Sequence, residues 1–254
     1  MRTSLKILLA FLLLPAALLQ GQSDADYQSF WVHEDHVKPA MVNKYENVNK
    51  KLVTELKAHN IQDEQWITAQ TDDYRYLYVG PIDNMASLDR PVFASLAEKM
   101  GSDKMGSLFS EMNDYYDKHF DYVIHMDKKL SYMPEGFTQT PEGQDYRKFY
   151  YVYTTPANRS KLAEHFKKIK KLYADKGSKV SYRVYRSGFG APQDFFLVAI
   201  AAKDALSYEQ QAVANRTLLG EEAKPLFDEM TQYMSGMEVI SGSMRPDLAY
   251  SPKQ

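Results

Sequence analysis

The strongest constraint on this chain is that it repeats itself. Leu108-Phe109-Ser110-Glu111-Met112 opens a stretch closing on Leu130-Ser131-Tyr132-Met133-Pro134. Leu226-Phe227-Asp228-Glu229-Met230 opens another, closing on Leu248-Ala249-Tyr250-Ser251-Pro252. Both boxes recur at an offset of 118, with Met126 and Met244 in register between them. Phe30-Trp31-Val32 matches Tyr150-Tyr151-Val152, and Tyr76-Leu77 matches Phe196-Leu197, at an offset of 120, so a small deletion accounts for the drift. Two boxes shared at one spacing argue for two copies of one unit, 27–134 and 146–252.

Within each unit the apolar periodicity changes in the same order. A strand from near Tyr27 leads to Asp35, a candidate helix N-cap, and Pro39 in a first turn; Met41, Tyr45, Val48, Leu52 and Leu56 then recur at helical spacing. Alternating strands follow over 65–71 and 74–79, then helical segments ending in 104–118, then a strand over 120–126. The second unit has a strand over 148–153 and a helix capped by Thr155 with Pro156 at its first position. Strands over 179–186 and 195–201, helices over 205–214 and 221–233, and a strand over 238–244 complete it. Lys128 to Asp145, with two prolines and two glycines, joins the units.

The first 22 residues stand apart. Arg2 and Lys6 precede an apolar run from Ile7 to Leu19, interrupted by Pro15 and followed by small and polar residues, the pattern of a cleaved secretory signal peptide. The reading is therefore a periplasmic or secreted protein without stable membrane insertion after cleavage. The chain has no cysteine, which excludes disulfides, thiolate metal sites and cysteine nucleophiles, and a unit pair of this size folds without such staples. Without Arg2 and Lys6 it carries 29 basic against 33 acidic residues, a formal charge of −4, so no nucleic-acid surface is expected.

Two strand–helix–strand–strand–helix–strand units in one chain resemble the dimeric α+β-barrel superfamily, fused into an internal pseudo-dimer. The resemblance implies an α+β fold in which two ferredoxin-like βαββαβ repeats face each other as a barrel, with helices outside. It also implies a range of functions: small monooxygenases, haem-binding enzymes related to chlorite dismutase, stress-response proteins. Such a fused pair needs no second chain to close its barrel.

Strand alternation separates two faces. Val32, Ile67, Ala69, Leu77, Val79 and Val152 make one set, suited to packing under helices. Trp31, His33, Trp66, Tyr76, Tyr78, Tyr151, Tyr153, Arg183 and Tyr185, with His125, make the aromatic and polar set expected to line the barrel. Such a lining either walls a small-molecule pocket or fills the interior outright. The leading reading is an exported binder of a small, partly aromatic or apolar molecule; the alternatives are a monooxygenase-like or haem-dependent enzyme and a non-catalytic envelope scaffold.

Other chemistry is sparse. His33-Glu34-Asp35-His36 offers metal-ligand types but no third ligand to join them, so no metal is expected. No cofactor is expected either; for the haem alternative, the resemblance implies an axial histidine on a helix of the second unit, and His165 is the nearest by location. Glu111 and Glu229 recur in both units, a pattern that shared ancestry explains better than acid–base chemistry. No nucleophile elbow, phosphate loop or dinucleotide fingerprint is present.

Overall fold

A computed structural model of the chain describes residues 26–253. The signal peptide read over residues 1–22 lies outside them. The first half runs β1 (Tyr27–Val37), α1 (Val42–Ala58), β2 (Ile67–Thr71), β3 (Arg75–Ile82), α2 (Ala94–Met100), α3 (Ser102–Asn113) and β4 (Tyr116–Asp127). The second runs β5 (Tyr146–Tyr153), α4 (Arg159–Asp175), β6 (Arg183–Ser187), β7 (Phe195–Ala202), α5 (Ala205–Leu219), α6 (Ala223–Met230) and β8 (Gly236–Met244). The eight strands close into one barrel in the order β1-β3-β2-β8-β5-β7-β6-β4, antiparallel throughout.

Each half supplies four neighbouring strands, β4-β1-β3-β2 and β8-β5-β7-β6, and two seams join them. At one seam Ala69 faces Met244 and Thr71 faces Gly242; at the other Ile124 faces Ser187 and Met126 faces Tyr185. Closure leaves no free sheet edge, which removes the usual liability of exposed strand backbone. Gly242 is required by closeness: a Cβ there would lie 2.3 Å from the Gln70 carbonyl oxygen.

The helices lie outside and bury single stripes. On α1, Tyr45, Val48, Leu52 and Leu56 recur at helical spacing and are buried; on α4, Leu162, Phe166 and Ile169 do the same. Several boundaries differ from the sequence expectations: the helix expected over 104–118 ends at Asn113, with β4 begun at Tyr116, and the strand expected over 179–186 starts at Arg183. Asp35 is not an N-cap: β1 stays paired to β3 and β4 through His36, so Asp35 sits inside a strand. Pro156 begins a turn, and α4 starts at Arg159 after the Asn158 cap. Among the described residues, no helix is long and apolar enough to cross a membrane.

Candidate functional site

In the first half the two strand faces are reversed relative to expectation. Val32, Ile67, Ala69, Leu77 and Val79 point into the barrel. Trp66, Tyr76 and Tyr78 instead pack with Tyr45, Val48 and Leu52 of α1. Trp31 and His33 share that outer face, their rings 5.9 Å apart. His125 is also outside, its Nδ1 2.8 Å from Ser29 Oγ. In the second half the expectation holds: Tyr151 and Tyr185 belong to the interior cluster, with Tyr153 packed against it, Arg183 lines the interior cavity, and Val152 packs under α4. The physical reason is the polarity of α1. Its Tyr45 and Glu46 give tyrosines on the sheet hydroxyl partners, so an aromatic face is stable beneath this helix. The second half brings Phe149, Tyr151, Tyr185 and Phe195 into the interior, and the first half completes it with Phe30 and Tyr122 beside the aliphatic residues of β1 to β3.

The outer aromatic face carries a network of hydrogen bonds and ion pairs. His33 Nδ1 lies 2.9 Å from Asp121 Oδ1, and its Nε2 is 3.2 Å from Asp35 Oδ1. Tyr45 donates its hydroxyl to Asp35 Oδ2 and also meets the Tyr78 hydroxyl at 2.8 Å. Burial opposes a charged imidazole, but the carboxylates of Asp121 and Asp35 outweigh it and raise His33 to about 9. Alternation places Glu34 and His36 on the opposite face, where Glu34 accepts from Tyr122 at 2.6 Å and pairs with His36 at 2.8 Å. The His33–His36 tetrad is thus divided between two faces, and among the described residues no group of three or more metal-ligand side chains converges.

A large opening lies elsewhere, between the outer face of the second half's sheet and α4, α5 and α6. It is a cleft of about 870 Å³. Tyr150, Val152, Val198 and Ile200 form its floor, and Phe166, Ile169 and Tyr173 one wall. The α5 wall carries Tyr208, Ala212 and Asn215. Tyr150 and Tyr208 join their hydroxyls across the cleft, and Asn215 accepts from Ser178 Oγ at 2.6 Å. The buried Tyr182 hydroxyl has no partner among the described residues. Burial raises the phenols of Tyr173, Tyr182 and Tyr208, so they remain neutral hydrogen-bonding groups rather than bases at ordinary pH.

In the first half the matching space is filled. Leu96 and Met105 are buried under Trp66 and Tyr78, with Phe93, Met100 and Phe109 packed against them. The second half stays open because α5 lacks an apolar stripe: Leu206, Val213 and Leu218 face solvent instead of the sheet. Sequence reasoning missed this cleft. The available clue was the helical segment at 205–219, whose helically spaced positions Tyr208, Ala212, Asn215 and Leu219 include one small and one polar residue in place of a full apolar stripe.

No histidine lines the cleft. His165 on α4 turns toward Glu229 Oε2, 3.1 Å away, and the Tyr233 ring. The residues present therefore do not fit a histidine-ligated haem there. Glu111 pairs with Lys51 on the surface at 3.3 Å, and neither repeated glutamate enters a cavity. The barrel interior itself is nearly full: its cavity measures about 60 Å³.

No protein-family model matches the sequence, and no curated protein is similar to it. Solved structures share its fold. A candidate monooxygenase from Lactobacillus acidophilus NCFM aligns with a TM-score of 0.54 at 10% identity, over 88% of this chain and 96% of that one. An anthrone oxidase-like protein aligns at 0.55 and 11%, over 87% and 92%. A candidate monooxygenase from Fusobacterium nucleatum aligns at 0.51 and 10%, over 89% and 98%. The fold is that of the dimeric α+β barrels.

Proposed function

We propose that this protein is an exported, internally duplicated α+β barrel that binds a largely apolar, ring-bearing small molecule in the cleft of its second half. The carrying observation is the asymmetry between halves: about 870 Å³ of open, aromatic-walled space stands where the first half is packed solid. Its size falls in the range of small-molecule sites, and its few polar groups suit orientation of a ring oxygen or nitrogen. Duplication explains both the repeated boxes and the two equivalent sets of four strands; divergence of one copy leaves it structural and the other receptive. A duplicated chain needs no second chain to close its barrel.

The test is a thermal-shift screen of aromatic and polycyclic compounds on the wild type and on Ala212→Trp, which fills the cleft from α5. A true cleft ligand raises the wild-type Tm, since ligand binding to the folded state stabilises it by mass action. The shift should vanish in Ala212→Trp. A shift of equal size in that variant would overturn the assignment.

A second reading is oxidation of the bound molecule, favoured by the fold shared with monooxygenase candidates and with an anthrone oxidase-like protein. The Tyr150–Tyr208 hydroxyl pair would hold an oxygen of an electron-rich aromatic substrate in the cleft. Oxygen uptake with anthrone, reduced in Tyr208→Phe, is the expected result; no uptake leaves the binding reading alone.

A further inference from the structure

Two arginines at one end of the barrel have no carboxylate partner. Arg147 on β5 is 1% exposed and Arg183 on β6 is 3% exposed. Both line the interior cavity beside Gln139. Arg147 donates to the carbonyl oxygens of Gln144, Tyr146 and Gln139, the last at 2.8 Å. Arg183 donates from Nη1 to Thr138 O, while its buried Nε has no acceptor. Neither lies within ion-pair distance of an acidic side chain among the described residues. Burial, then the neighbouring Arg183 charge, pull Arg147 down to about 10, a direction opposite to that of a paired arginine. The nearest acid, Asp145, is exposed.

The other end of the same barrel is neutralised. Arg75 pairs with Asp73 at 2.9 Å and with Glu238, and Glu238 also accepts from Tyr153 at 2.9 Å. Leaving a buried cation without its counter-ion is strongly destabilising, as a broken buried pair is. A chain that balances one mouth and leaves two guanidinium groups unbalanced at the other has a place for an anion.

We propose that Arg147 and Arg183 form a binding site for a short-chain monocarboxylate, its carboxylate held by the two guanidinium groups and its alkyl end in the barrel cavity. A planar fork of N–H donors matches carboxylate geometry. The cavity's walls are apolar, among them Val32, Leu77, Val79, Ile124 and Leu197, and its volume of about 60 Å³ admits only a few carbons. A route from solvent exists. Arg183 and Ala199 also line a groove of about 500 Å³ bordered by the segment joining the halves, including Thr138, Pro141 and Gln144. Lys179 on that groove adds positive potential, opposed by Glu135. The segment 138–144 thus covers the arginines through the carbonyls of Thr138, Gln139 and Gln144 and forms the door of the site.

This site is separate from the second-half cleft, and the experiment keeps them apart. Tm would be followed at constant ionic strength while sodium chloride is replaced by sodium acetate, propionate or butyrate, or by sodium phosphate. A short carboxylate should raise the wild-type Tm saturably. Arg183→Met should weaken that response at least about tenfold, as expected for a charge-assisted hydrogen bond. Without carboxylate, its Tm should equal or exceed that of the wild type, because an uncompensated buried charge has gone. Arg183→Lys, which keeps the charge and loses the fork, should fold and also respond more weakly. Ala212→Trp should respond as the wild type does. The proposal fails if no carboxylate shifts Tm beyond chloride, if phosphate alone does, or if the response persists in both Arg183 variants.

Discussion

His33 sets the pH response expected of the first half. Its imidazole is held charged by Asp121 and Asp35, and its folded value of about 9 exceeds the ordinary 6.5. A group with a raised folded pKa gives its full stabilisation below the unfolded value and loses it as pH rises through the folded one. Stability should therefore fall between about pH 6.5 and pH 9, by about 2 kcal/mol. Urea denaturation at pH 6, 7.5 and 9 measures this; His33→Gln should flatten the dependence, and a flat wild-type curve would refute the assignment. The same residue shows what alternation can and cannot tell. It grouped Trp31, His33, Tyr76 and Tyr78 on one face correctly. It could not say that the face lay under α1, because alternation fixes which residues share a face and not which side of the sheet the helix covers; the partners Tyr45 and Glu46 bring decide that. Arg147 stayed hidden for the same reason: a charged residue at a strand's start reads as solvent-exposed until the joining segment is seen to cover it.

At the scale of elements, the β6–β7 loop and α5 make contrasting predictions. The loop is clamped to β4: Gly188 N donates to Val123 O and Val123 N to Phe189 O, both at 2.8 Å. Gly190 has φ +80°, and a Cβ there would come 2.6 Å from Asp121 O. Gly190→Ala combines left-handed backbone strain with a clash against backbone and should cost about 2 kcal/mol or more in chemical denaturation. By contrast, α5 is tied to the rest through Tyr208 and Asn215, with apolar residues facing out. Its amides should exchange with deuterium faster than those of α4, which buries a full stripe, and should slow when the cleft is filled. Equal protection of α4 and α5 would remove the picture of a loosely held wall. Element order was readable from periodicity because each stripe or alternating run is local. The ends of elements were not, since β1 is prolonged by pairing on both sides and not by its own composition.

The whole molecule depends on joining its halves. The interior cluster mixes Val32, Leu77 and Ile124 from one with Phe149, Tyr151 and Leu197 from the other, so neither sheet covers its inner face alone. The seams between the two sets of four strands were not legible in the sequence, because β2–β8 and β4–β6 pair residues far apart in it. Those seams make a strong prediction. Cutting the chain within the joining segment, after Gly136, should give two fragments that each expose an apolar sheet face and lack cooperative unfolding. Mixed in equal amounts, they should form a one-to-one complex with the near-UV circular dichroism of the intact chain, since burial of the shared core drives association. Gly242→Val in the second fragment should abolish that complex, because its side chain would meet the Gln70 backbone at the seam. Size-exclusion chromatography distinguishes the outcomes. A first fragment that is monomeric and unfolds cooperatively by itself would show that the halves are independent domains, and the shared-core account of the barrel would fall.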